Sequence, residues 1–147
     1  MHDRMRQDEQ DEMPFFALTQ QILNCCFEVM NTLGSGFLES VYKNALIVAL
    51  ANHSLRIITD RSFEVVFQNR KVGIFIPDLI VENSVIIELK CCENLLPEHQ
   101  AQLINYLAVT NIEVGLLVNF RRRKLEYKRA YHPAHPAACD RADPVPF

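Results

Sequence analysis

The stretch IPDLIVENSVIIELK, residues 76 to 90, constrains this chain more than any other. It reads as two strands and a turn, with β-branched and leucine runs on either side of Glu82, Asn83 and Ser84. Yet Asp78, Glu88 and Lys90 stand inside those runs. A carboxylate buried alone costs roughly several kcal/mol. Whatever the fold, it must let these three compensate one another or let a cation complete them. Alternation puts Glu88 and Lys90 on one strand face, with Leu89 opposite. The direction of Asp78 depends on the turn. A two-residue Asn83-Ser84 loop pairs Asp78 with Leu89 and sends its carboxylate to the wrong face. A three-residue Glu82-Asn83-Ser84 loop pairs Val81 with Val85, and Asp78 with Glu88. That register requires a left-handed residue at Asn83 or Ser84. One residue of slip inverts the outcome.

Side by side, with Cβ atoms about 5 Å apart, the two carboxylates raise each other's pKa unless a positive charge intervenes. A hard divalent cation such as Mg²⁺ suits these oxygen ligands and keeps waters of its own. Lys90 alone also supplies a charge, as part of an Asp–Lys–Glu cluster that merely holds the sheet. Spacing leaves both readings open.

The rest of the 147 residues suit one domain, and a 49% hydrophobic content is enough for a sizeable core. A net charge of −3 excludes a global basic field, so contact with nucleic acid has to use a local patch. No apolar run approaches the roughly 20 residues of a membrane span. The start, MHDRMRQDEQDEMP, is charged and has no apolar signal segment, so a cytoplasmic location is expected. Cys25, Cys26, Cys91, Cys92 and Cys139 are odd in number and form no CxxC, which argues for reduced thiols over a disulfide framework or a zinc site.

Apolar residues at Phe15, Leu18, Ile22, Cys25, Cys26 and Val29 predict a helix ending at Gly34. A second follows to about Asn52, with a stripe at Leu38, Val41, Ala45 and Val48. SFEVVFQ, VGIFIPDLIV and VIIELKCC read as three strands, residues 97 to 110 as a helix, EVGLLVNF as a fourth strand and the end of RRRKLEYKRAY as a fifth. The order α-α-β-β-β-α-β-β describes an α/β domain whose strands 2 and 3, apolar on both faces, lie between helices. Residues 1–13 read as a disordered tail, 14–131 as the domain, and the Pro- and Ala-rich 132–147 as a flexible tail. The Gly34-Ser35-Gly36 run fits a helix–helix turn; it has neither the nucleophile-elbow nor the phosphate-loop spacing. Arg121, Arg122, Arg123 and Lys124, with Lys128 and Arg129, form the only dense basic stretch and so the candidate phosphate contact.

PDLIVENSVIIELK, through Pro77, Asp78, Glu88, Leu89 and Lys90, resembles the motif of the PD-(D/E)XK, or restriction-endonuclease-like, nuclease superfamily. GFLESVY, through Gly36, Glu39 and Tyr42, resembles the signature of the GxxExxY proteins, a small bacterial family placed in it. LLPEHQAQLINYL followed by VGLLVNF is similar to the helix and strand that close that family's domain. The resemblance spans about residues 15 to 131 and implies a restriction-endonuclease-like core, a mixed central sheet flanked by helices.

It also implies a nuclease that uses Mg²⁺ or Mn²⁺ and a metal-activated water on nucleic acid, DNA more than RNA. Asp78 and Glu88 would be direct metal ligands, with the Leu89 backbone carbonyl as a third. Lys90 would orient the water or stabilise the phosphorane charge. Glu39 would complete the metal site directly or through water. Gln102 and Tyr106 match a QxxxY element that would contact the metal shell or the nucleic-acid backbone. Glu39 with Tyr42, and Gln102 with Tyr106 and His99, each share a helix face, so six polar groups converge if both faces cover the carboxylate side of the sheet. Each has a plainer role beside this one: Glu39 as a helix cap counted from Gly36, Tyr42 as a packed aromatic, Gln102 and Tyr106 as an ordinary polar edge, and His99 as an exposed or capping residue where the functional role is a phosphate contact or proton shuttle. A homodimer is a further expectation, and a non-catalytic nucleic-acid- or protein-binding module is the alternative function.

Overall fold

The structure is a computed structural model, and it describes residues 15–135. The predicted tail 1–13 and, of the predicted tail 132–147, residues 136–147 with Cys139 lie outside these residues. Two helices open the domain, α1 (Phe16–Leu33) and α2 (Glu39–Asn52). Five strands follow: β1 (Ile57–Ile58), β2 (Phe63–Phe67), β3 (Arg70–Phe75), β4 (Leu79–Val81) and β5 (Val85–Lys90). Helix α3 (Pro97–Thr110) crosses over to β6 (Val114–Asn119), and β7 (Glu126–Tyr131) ends the fold.

The main sheet has the order β1-β4-β5-β6-β7 and is mixed, with β5 and β6 parallel and the other pairs antiparallel. The two faces of β5 divide the core. Val85, Ile87 and Leu89 pack with Ile22, Cys26, Leu46 and Leu50 of α1 and α2. Ile80 and Ile86 pack with Leu103 and Leu107 of α3. Glu88 and Lys90 share the parity of Ile86, so they belong to the α3 face. Only Gly fits at 115: a Cβ there would lie 2.9 Å from Leu103 Cδ1, so α3 sits directly on β6.

The stretch VGIFIPDLIV is not one strand. It breaks at Ile76-Pro77-Asp78; β3 pairs only with β2 in a separate two-stranded sheet, while β4 joins the main sheet. Pro77 has no N–H for a ladder, and an apolar count cannot register that break. The expected burial of strand 2 on both faces holds for β4 and fails for β3, most of which is exposed. The two-residue β1 was not legible at all.

The helix stripes were legible only in part. In α2 the buried residues are Tyr42, Leu46, Ala49 and Leu50, whereas Leu38 and Val48 are exposed. The rotation follows from the start of the helix: Leu38 is the N-cap and Glu39 the first helical residue, so the capping reading of Glu39 from Gly36 fails. In α1, Phe15 is exposed, while Ile22, Cys25, Cys26 and Val29 are buried as expected. The chain from His132 to His135 is also part of the body. His132 N–H donates to Glu113 O at 2.7 Å, and the His135 ring stacks on Tyr131 at 5.6 Å.

Candidate active site

The turn after β4 takes the three-residue form, with Val81 opposite Val85 and Leu79 opposite Ile87. The left-handed residues are Glu82 (φ 52°) and Asn83 (φ 54°), not Ser84. Glu82 tolerates this because its backbone N–H donates to Arg56 O at 2.9 Å while its Oε2 accepts the Arg56 N–H at 2.6 Å. One more step along the ladder sets Asp78 beside Glu88, in side-chain contact with backbone on both strands. Leu89 N–H donates to Asp78 Oδ2 at 2.9 Å, and Asp78 N–H to Glu88 Oε1 at 3.4 Å.

The electrostatics match two partly buried carboxyl groups on one face. Glu88 is pushed up to about 8, first by burial and then by the negative charge of Asp78. A hydrogen bond between the two side chains favours its protonated form further, against the Asp78 N–H and the Lys90 charge, which pull it down. Glu88 therefore keeps its proton near neutrality, the Lys90 charge offsetting burial and Asp78 only in part.

Other groups reach this pair from α2 and α3. Glu39, at the start of α2, has its carboxyl raised by partial burial and then by Asp78, while Lys90 and Lys43 pull it back. It approaches from α2 on the opposite side of the sheet, so the two helices do not cover one common face as expected. Tyr106 on α3 feels the Glu88 charge, which raises its hydroxyl after burial does, and it hydrogen-bonds the Gln102 side chain. Its ring stacks on Phe75 with centroids 3.6 Å apart. Arg121, exposed after β6, and Glu39 both act on the Cys91 thiol, which burial raises first. With Phe37 and Leu38 these residues line a cleft beside Glu39. Arg122 and Arg123 are exposed on the same loop.

Three residues are placed elsewhere. Tyr42 is fully buried and stacked on Phe120; its hydroxyl donates to Gly34 O at 2.6 Å and accepts the Phe37 N–H at 3.2 Å. It braces the Gly34–Phe37 loop and cannot touch nucleic acid. His99 Nδ1 accepts the Leu96 N–H at 2.9 Å, a capping contact at the start of α3. Arg129 leaves the basic stretch: it is buried over the Phe16 ring and donates to Gln20 Oε1 at 2.6 Å. The residue the sequence did not single out is Asn119. It is buried, its Oδ1 accepts the Cys92 N–H, and its Nδ2 donates to Cys92 O at 2.8 Å and to Glu126 Oε1 at 3.1 Å. That fixes the chain just past Lys90; only a polar residue at the end of an apolar strand hinted at it.

The chain matches the PD-(D/E)XK nuclease superfamily over residues 17–130. It belongs to that superfamily. The fold is also similar to the crystal structure of SSO0001, with a TM-score of 0.50 and 18% identity over 87% of this chain. This chain spans 65% of the length of that protein. No curated protein matches the chain. The core is accordingly restriction-endonuclease-like. No helix among the described residues is long and apolar enough to cross a membrane.

Nucleases of this superfamily generally use divalent metals. Among the described residues no three His, Cys, Asp or Glu side chains are gathered to hold an ion by themselves. The donor set at hand is two hard carboxylates in need of positive charge. It fits an ion such as Mg²⁺ that takes one or two carboxylates and fills the remaining positions with water.

Proposed function

We propose that this chain is a divalent-metal-dependent nuclease of the GxxExxY kind that hydrolyses phosphodiester bonds, with DNA as the favoured substrate. The observation that carries the reading is the Asp78–Glu88 pair, set side by side on one face with Glu88 raised to about 8. A pair held only for sheet stability would not leave a carboxyl group so poorly compensated.

In this reading Asp78 and Glu88 hold Mg²⁺ or Mn²⁺, with the Leu89 carbonyl as an additional oxygen. When bound, the ion supplies Lewis-acid polarisation of the phosphate and lowers the pKa of a water. Lys90, one alternation from Glu88, orients the attacking water and stabilises negative charge developing on the phosphoryl oxygens. Glu39 acts through water, since it feels Asp78 and Lys90 without closing a three-carboxylate cage. Tyr106 and Gln102 contact the sugar–phosphate backbone from α3. Arg121, Arg122 and Arg123 hold flanking phosphates, and His99 contributes there only at the cost of its cap.

Titration calorimetry with Mg²⁺ on wild type, Asp78→Asn and Glu88→Gln tests the reading, paired with cleavage assays on single-stranded, duplex and flapped DNA and on RNA. Binding and cleavage in the wild type, both lost in each variant, are expected. A wild type that binds no Mg²⁺ or Mn²⁺ refutes the nuclease and leaves a non-catalytic binding module on the same scaffold.

A further inference from the structure

Among the described residues, the β2–β3 hairpin stands apart from the main sheet, pairing only with itself. Its register assigns its two faces, because cross-strand partners share a face. Phe63 opposite Phe75 and Val65 opposite Gly73 form the inner face, and Phe63 and Phe75 pack into the α3 core. Glu64 opposite Ile74 and Val66 opposite Lys71 form the outer face. A bulge beside Val65 and Val66 adds Val72 to that outer side. Val66, Val72, Ile74 and the following Ile76 are 56%, 61%, 53% and 54% exposed. Four aliphatic β-branched side chains on one sheet face that no described residue covers exceed the scattered exposure normal for a surface.

We infer that the outer face of this hairpin is the interface of a two-fold homodimer, packed face to face against the same hairpin of a second copy. Two features select a second copy over other occupants. The side chains are Val and Ile, which interdigitate between packed sheets; Phe67, the hairpin's exposed aromatic at 62%, pairs with Arg70 on the other face, so the outer face itself has no ring for base stacking. The charges are self-complementary. Glu64 sits at the root and Lys71 toward the tip, so an antiparallel two-fold arrangement lays each Glu64 against the other copy's Lys71. The free edges of β2 and β3 add unpaired backbone groups at the rim. Because β3 runs straight into Pro77 and Asp78, the association ties two carboxylate pairs into one particle. That consequence rests on the nuclease reading; the association itself does not.

Sedimentation equilibrium on the full chain, without nucleic acid or metal, tests the inference. The wild type is expected to dimerise at micromolar concentrations. Ile74→Lys and Val72→Glu, both at exposed positions, are expected to weaken the dimer more than about tenfold, with a thermal midpoint equal to that of the wild type at concentrations where both are monomeric. Glu64→Lys and Lys71→Glu each weaken it, and the double exchange restores it. A wild type that stays monomeric at about 100 µM overturns the inference, whatever its Mg²⁺ binding or cleavage. So does a dimer indifferent to Ile74→Lys, or charge reversals that do not rescue each other. A monomer in which these substitutions instead lower affinity for a DNA oligonucleotide assigns the face to nucleic acid and also overturns it.

Discussion

Glu88→Gln is expected to stabilise the metal-free protein. Glu88 has an ordinary value of 4.5 when unfolded and is raised to about 8 in the fold, first by burial and then by Asp78. The folded state therefore holds a proton that the unfolded chain releases as pH climbs past 4.5. Below the unfolded value both states are protonated and the residue costs nothing. Between there and about 8 the cost grows, and above that it is constant. At pH 7 the gap of 2.5 units from the ordinary 4.5, at 1.36 kcal/mol per unit, sets a ceiling of about 3 kcal/mol. Residual solvent contact brings the expected gain to about 2 kcal/mol. Glutamine keeps an acceptor for the Asp78 N–H and offers an N–H to the Asp78 carboxylate, so the local hydrogen bonding survives. Urea unfolding in chelator from about pH 4 to about pH 8 reads the difference. The variant should match the wild type at the acid end and exceed it progressively toward neutrality. Equal stability at pH 7, or a difference independent of pH, would refute the argument that burial and Asp78 hold the proton on Glu88.

Magnesium binding should release protons and weaken as pH falls below about 8, since the ion competes with the proton on Glu88; calorimetry in buffers of different ionisation enthalpy measures this. Tyr42→Phe removes the contacts to Gly34 and Phe37 and is expected to cost about 1 to 3 kcal/mol in urea unfolding, the acceptor at Gly34 O being left in a partly buried loop. Gly115→Ala drives a methyl group into Leu103, 2.9 Å away, and should lower stability by about 1 to 3 kcal/mol as α3 lifts from β6. Asn119→Ala strands the Cys92 backbone groups beside Lys90 and should cost about 2 kcal/mol in stability. If Lys90 acts in cleavage, kcat falls with it.

The alternation of IPDLIVENSVIIELK determined by itself that Glu88 and Lys90 share a face, because a strand's period of two admits no other outcome. Apolar spacing also settled the existence of the three helices and of β5 and β6, since their patterns are long and regular. Local pattern could not say which helix covers the carboxylates. That was decided by the topology, in which α3 crosses between parallel β5 and β6 and so occupies the face of Ile86 and Glu88. Nor could it say that Leu38 and Val48 face water, because the rotation of α2 is set by its packing against α1 and by the Tyr42 hydroxyl on the Gly34 turn. The inward course of Arg129 was equally invisible: a basic run looks solvated until a helix more than a hundred residues earlier supplies Gln20 and Phe16 to receive one of its members. The register at Glu82-Asn83-Ser84 lies between these cases. Sequence reduced it to two alternatives; contacts from Arg56 on a distant segment hold Glu82 in the conformation that brings Asp78 to Glu88.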